Sequence, residues 1–320
     1  MTTQIVKPTA RPGNRAGTDV AAGVWRVADP KITLASVASM IVGACAAAFD
    51  GPIQWGWLAV TVAGIFCVEA AKNASGEIFD WDSGTDQEVA DDERSPFSGG
   101  KRVIVDGLMS RRQTATVAAL FYTGAIAAGL AIVLLREPAV LWLGMVGVGL
   151  AFFYHAPPLR LAYRGLGELA VAVAYGPVIA TGTYLVQRGT IGDEVLLASV
   201  PLGLAVGAFL WINEFPDARA DELAGKRTLV VRLGRPAAAR MFAVIVGAAY
   251  AGVALLPLAG LPMTLWLGLA GLPLAISAAG RLRRNPEVTR AIIGAQGKTL
   301  LSFVLMAVGL GAGFVVAALV

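Results

Sequence analysis

The chain has 320 residues, of which 56% are hydrophobic and only 15% charged, with a net charge of +4 and a mean hydropathy of +0.67. A soluble domain of this length could not bury so much apolar surface, whereas membrane helices of about 20 residues each absorb it. Two cysteines inside apolar runs, Cys45 and Cys67, and a single histidine, His155, give no disulfide framework and no zinc or haem spacing, and nothing points to nucleic acid.

Residues 1–31 are basic and polar, without the apolar core of a cleavable signal peptide, and read as a disordered cytoplasmic tail before a membrane domain at 32–320. Apolar runs follow at 32–50, 57–80, 114–135, 139–156, 166–187, 194–215, 238–258, 261–280 and 299–320. They predict an all-α integral membrane protein of about nine transmembrane helices in a single bundle. The tail and the loops 81–113, 157–165, 216–237 and 281–298 carry nearly all the Arg and Lys, and the opposite loops hold only Arg136 and Arg188. The positive-inside rule therefore places the amino terminus in the cytoplasm and Val320 outside, as expected of a multi-pass protein of the inner (plasma) membrane. Loop 81–113, on the basic side, is long for a linker between packed helices, and such loops are usually functional or disordered.

Two acidic clusters close two of the helices. The first ends the second span: Lys72, Asn73, Gly76, Glu77, Asp80, Asp82 and Asp86. Asn73, Glu77 and Asp80 share one helical face, Ser83-Gly84-Thr85 breaks the helix, and Asp86 can fold back toward them. The second ends the sixth span, where Asn213, Asp217 and Asp221 recur every fourth residue. Pro216 predicts a kink between them. A single acid at such a place is usually a solvated helix end, but Asn73 and Glu77 lie in or at the edge of an apolar run, where polar groups tend to face a cavity. Clustered carboxylates need a shared counter-charge. Oxygen ligands suit Mg²⁺, which takes one or two carboxylates plus substrate phosphates. Arg94, Lys101, Arg102, Lys226 and Arg227 stand near both clusters, and each also fits the plain positive-inside bias.

Between spans four and five lies Phe152-Phe153-Tyr154-His155, then Pro157-Pro158, Arg160 and Tyr163 to Glu168. The aromatic run fits either an interfacial belt or the wall of a pocket for a polyprenyl chain and its carbocation. His155 fits an interfacial hydrogen-bonding role or a catalytic base. Asp106-Gly107 and Ser110-Arg111 loosely resemble the opening of a phosphatidyl transferase motif, but no Asp lies between 107 and 192 to continue it. A transporter would place its carboxylates near the bilayer midplane, not at the cytoplasmic helix ends.

Together these features resemble the UbiA superfamily of membrane prenyltransferases over roughly residues 57–234. Phe79 to Asp86 looks like the first motif of the quinone-synthesis branch, with its two Asp separated by five residues. Asn73 matches the first Asn of the preceding helix, Gly76 stands where that branch has a second Asn, and Glu77 stands at its Asp. Asn213, Asp217 and Asp221 match the second motif. Gly225-Lys226-Arg227-Thr228-Leu229 with Val231 to Gly234, and Tyr154 with Tyr163 to Glu168, are similar to the menaquinone branch, whose acceptor is dihydroxynaphthoate. The resemblance implies a UbiA-like bundle and Mg²⁺-dependent transfer of a polyprenyl group from a polyprenyl diphosphate to an aromatic acceptor. The candidate metal ligands are Asn73, Glu77, Asp80, Asp86, Asn213, Asp217 and Asp221. The candidate diphosphate contacts are Lys72, Arg94, Lys101, Arg102, Arg160, Lys226 and Arg227, and the candidate catalytic residues are Asp80, Asp217 and Tyr154.

Overall fold

The computed structural model describes residues 18–84, 95–98 and 100–320, all helix and connecting turns. Asp86 and Arg94 lie outside the described residues. The elements in chain order are α1 (Val20–Ala28), α2 (Pro30–Asp50), α3 (Trp55–Ser83), α4 (Arg111–Leu135), α5 (Val140–Phe153), α6 (Gly167–Val173), α7 (Ile179–Arg188), α8 (Asp193–Leu223), α9 (Leu229–Leu233), α10 (Arg235–Leu255), α11 (Leu272–Arg284) and α12 (Thr289–Ala317). A π turn at Ala174–Val178, containing Pro177, joins α6 to α7 into one span. A 3₁₀ stretch at Met263–Gly271 leads into α11. Among the described residues eight helices are long and apolar enough to cross a membrane, and α5 makes nine.

Two spans overrun their apolar runs. Helix α3 has 29 residues and α8 has 31. At about 1.5 Å per residue both exceed a hydrocarbon core of roughly 30 Å. Their surplus turns carry the acidic clusters, in which Asp80 and Asp221 stay buried. Helix α3 stops where expected: Gly84 takes φ 85°, a conformation open to glycine, and its N–H caps the carbonyl of Trp81. Helix α8 instead runs on through Pro216, which keeps Asn213, Asp217 and Asp221 in one register. Behind it, Gly176 and Gly203 let the π turn and α8 meet; a Cβ on Gly203 would sit 2.3 Å from the Ala172 carbonyl oxygen.

One expectation is corrected. Residues 20–28 were assigned to a disordered tail, yet they form α1. Asp19 caps the helix by accepting from the Ala22 N–H at 2.9 Å. Val27, fully buried, packs in a small cluster with Ala74, Trp81, Val103 and Met109. That face needs α3 and the 103–109 turn to cover it, so nine residues read alone look like tail. The main core gathers α2, the second half of the bundle and α12 around Phe215, Phe242, Phe303 and Phe314.

Candidate active site

A cavity of about 1330 Å³ runs into the bundle between α3, α4, α5, the α6–α7 span and α8. Apolar residues such as Ile126, Leu130, Val148 and Ile179 line its depth, while Asn73, Asn213, Glu214, Asp217, Asp221 and Lys226 line its mouth.

The two acidic clusters meet at one lysine. Lys226 Nζ lies 3.3 Å from Asp80 Oδ1 and 3.5 Å from Asp221 Oδ1. Its ammonium also sits 5.2 Å from the centre of the Tyr163 ring. The Tyr163 hydroxyl donates to Asp80 Oδ1 at 2.9 Å, and His155 Nε2 stands 3.7 Å from Asp80 Oδ2. The backbone explains how Lys226 gets there. Gly225, at φ 77°, turns the chain out of α8, and the Lys226 N–H donates to the Asp221 carbonyl at 2.7 Å.

The motif residues around Lys226 serve as its scaffold. The Arg227 N–H donates to the Tyr163 carbonyl at 3.0 Å, Arg232 Nη2 to the Arg164 carbonyl at 2.7 Å, and the Leu229 N–H to Glu168 Oε1 at 2.8 Å. Loops separated by 61 to 68 positions in the chain thus form one platform.

Several candidates are tied into the fold or lie off the cavity wall. Glu77 is 3% exposed and accepts the backbone N–H groups of Lys101, of Arg102 at 2.9 Å and of Val103 at 2.8 Å. It folds the loop that presents Lys101 and Arg102 to the cavity, where Lys101 pairs with Asp29 of the α1 end. Asn73 donates to the Val27 carbonyl at 2.8 Å, which pins α1 and assigns its Nδ2. Arg160 and Arg227 are exposed and outside the cavity wall, so the structure does not join them to the other candidates. Arg160 lies against the Tyr163 ring instead, 5.5 Å from its centre.

Tyr154 and His155 follow α5 and line the cavity. Burial, with Glu214 and Glu168 nearby, raises the Tyr154 phenol well above its ordinary range, so it stays protonated and can donate. Burial lowers His155 to about 4, outweighing the upward pull of Asp80, so the imidazole is neutral near pH 7. This ring also explains Gly76. A Cβ there would lie 2.7 Å from His155 Cε1, so the imidazole fills the volume a side chain at 76 would use.

The oxygen donors fit a hard cation: Asp217, Asp221 and Asn213 line the cavity and Asp80 joins them through Lys226, and among the described residues the buried Asn213 Oδ1 and Glu214 Oε2 have no hydrogen-bond partner. Among the described residues no three acids or histidines already converge as a preformed metal cage. Sequence reasoning passes over Tyr163 and Glu214 as site residues: Glu214 carries a signal in standing beside Asn213, whereas Tyr163 reaches Asp80 only through the fold.

A model of the UbiA prenyltransferase family matches residues 36–293. The chain is 31% identical over 263 residues to the 1,4-dihydroxy-2-naphthoate octaprenyltransferase of Mycobacterium tuberculosis H37Rv, covering 80% of this chain and 84% of that protein. It is 25% identical over 292 residues to the Bacillus subtilis (strain 168) protein of the same name, covering 90% and 91%. A UbiA homolog from Archaeoglobus fulgidus, bound to GPP and Mg²⁺, shares the fold with a TM-score of 0.61 at 15% identity, over 88% of this chain and 99% of that one. The helical bundle, the matched family model and these relatives define a multi-pass membrane prenyltransferase. The chain belongs to the UbiA prenyltransferase family.

Proposed function

We propose that the chain transfers a polyprenyl group from a polyprenyl diphosphate to 1,4-dihydroxy-2-naphthoate, or a closely similar hydroxylated aromatic acceptor, in a Mg²⁺-dependent step of quinone biosynthesis. The observation that carries this reading is Lys226, on the wall of a cavity whose lining is largely apolar, joining Asp80 and Asp221. A prenyl diphosphate has the same polarity, a charged head on an apolar tail. The names of the relatives supply the acceptor.

Asp80, Asp217, Asp221 and Asn213 would hold the metal, with Asp86 a further candidate outside the described residues. Bound Mg²⁺ would supply positive charge against the leaving diphosphate. Lys226, Lys101 and Arg102 would pair with its oxygens. The allylic carbon–oxygen bond breaks and its electron pair leaves with the diphosphate. A ring carbon of the acceptor then forms the new carbon–carbon bond, and for a naphthoate the carboxyl group leaves as carbon dioxide with loss of its proton. The apolar cavity keeps water from the allylic cation. Tyr154, held as a phenol, presents a hydroxyl and a ring face to this space but no base.

The test is product analysis by mass spectrometry of membranes given several prenyl diphosphates and several acceptors. Prenylated, decarboxylated naphthoate is expected. Transfer only to 4-hydroxybenzoate, homogentisate or a lipid alcohol would overturn the acceptor, and uptake without any product would overturn the enzyme reading. We further propose an inner-membrane location with a cytoplasmic amino terminus. A reporter fused after Val320 and active only in the cytoplasm would refute that orientation.

A further inference from the structure

A second polar group sits in the cavity wall, deeper than the acidic motifs. Glu69 lies one helical turn before Asn73 on α3, inside the apolar run, and is 4% exposed. An ionisable side chain at that depth is costly and marks a partner or a cavity. Its Oε1 accepts from the Ser36 hydroxyl of α2 at 2.6 Å and from the Tyr175 hydroxyl. Its Oε2 is buried and ion-paired with Lys72 Nζ at 3.5 Å, and among the described residues it accepts no hydrogen bond. Lys72 donates in turn to the Tyr175 hydroxyl at 3.1 Å.

The backbone is shaped to deliver Tyr175. It belongs to the π turn at Ala174–Val178, and its carbonyl accepts from the Ser39 hydroxyl. Such turns inside α-helices often mark functional sites. Glu69, Lys72 and Tyr175 all line the cavity, with Val206, Phe209 and Leu210 of α8 in the same wall. Oε1 ties α2 and the π turn to α3, while Oε2 is ion-paired with Lys72 at 3.5 Å, a long contact that leaves both groups on the cavity wall able to take a ligand's hydrogen bonds.

We propose that Glu69 and Lys72 form the subsite for the hydroxylated ring of the acceptor, with Tyr175 and Ser36 as positioning residues for Glu69. This deepens the prenyl-transfer reading and rests on it. A ring hydroxyl donates to Glu69 Oε2, Lys72 meets a carboxylate or a second ring oxygen, and the apolar residues take the ring faces. Lys72 then serves the acceptor, not the diphosphate. Four residues of helix, about 6 Å, separate Glu69 from Asn73, so a ring held by Glu69 would lie one turn deeper than the acidic motif that takes the diphosphate. Accepting the hydroxyl's hydrogen bond also pushes electron density into the ring that must attack.

The test reads binding without turnover, on the full chain in lipid nanodiscs. The probes are 1-hydroxy-2-naphthoate, its 1-methoxy counterpart, and geranyl diphosphate with Mg²⁺. Wild type is expected to bind the hydroxy compound at least tenfold tighter than the methoxy one. Glu69→Gln should lose most of that preference, and Tyr175→Phe part of it, with geranyl diphosphate affinity within twofold of wild type in both. An unchanged preference in Glu69→Gln, joint loss of both ligands, or no preference in wild type would overturn the subsite. Absence of prenyl transfer to any acceptor is scored separately, because it overturns the reaction and leaves the binding preference measurable.

Discussion

Replacing Lys226 by Met keeps most of the side chain's length and removes its charge. Asp80 and Asp221 are then at most the sum of the two lysine contacts, 3.3 and 3.5 Å, apart. At that separation and an effective dielectric near 20, two unit charges repel by about 2 kcal/mol, in place of two attractions of about 5 kcal/mol each. Those gross attractions are offset by desolvation of an ammonium whose side chain is only 12% exposed. The net loss for removing one partner of a buried pair is therefore about 3–5 kcal/mol. Lys226→Met should melt several degrees below wild type in EDTA. Saturating Mg²⁺ should narrow that gap, because the cation returns the missing charge to the carboxylates. Turnover should stay at least tenfold down even then, since the diphosphate has lost its lysine. Thermal unfolding in nanodiscs, with and without Mg²⁺, alongside kcat/KM for the prenyl diphosphate, reads all three effects. Equal melting of variant and wild type in EDTA would refute the reasoning, as would a gap that Mg²⁺ leaves untouched.

Asp80→Asn and Asp217→Asn should each lower turnover about a hundredfold or more at saturating Mg²⁺, since an amide keeps the shape and gives up the charge, and each ~1.4 kcal/mol is tenfold in rate. Asp19→Asn serves as their control, because Asn caps α1 as well as Asp does; wild-type turnover persisting in excess EDTA would contradict the metal role. Gly76→Ala should destabilise by about 1–3 kcal/mol through its 2.7 Å approach to His155 Cε1, and Gly76→Ala with His155→Ala should melt higher than the sum of the single losses allows. The His155 imidazole, lowered to about 4 by burial, binds fewer protons in the folded than in the unfolded chain between about pH 4 and 6.5. Stability should accordingly fall as pH drops through that window, by about 3 kcal/mol over its width, and His155→Gln should flatten this part of the pH–stability curve.

What the sequence disclosed and what it hid divide along a physical line. The spans were legible because lipid demands long apolar runs, and so were the acid-bearing helix ends, because carboxylates at those places are expensive. The end of α3 at Gly84 was legible from its turn chemistry. Partners brought in by the fold were not. Glu77 looks like a ligand on its helix, yet its donors are three amides that arrive 24 to 26 positions later in the chain. Arg160 and Arg227 share the basic side with Lys226, and only loop geometry separates the one that enters from the two that do not. Pro216 sits inside α8, which continues as helix to Leu223. Glu69 carried a signal, an acid inside an apolar run, but its meaning needed Ser36 and Tyr175 beside it.

The motifs without carboxylates take their meaning from the same geometry. Tyr163 to Glu168 and Gly225 to Gly234 carry most of the resemblance to the menaquinone branch, yet among them Lys226 and the Tyr163 hydroxyl are the groups that touch a motif acid. The rest bind one loop to the other through Arg227, Leu229 and Arg232. That arrangement has a mechanical consequence. Lys226 projects from the loop that ends α8, and Tyr163 from the loop before α6, and both close on Asp80 of α3. A shift in either loop moves the lysine and the phenol together, so the charge on Asp80 is set by three separate spans at once. Loosening the platform at Arg232, which holds the Arg164 and Arg227 carbonyls, would therefore disturb Asp80 through both of its partners.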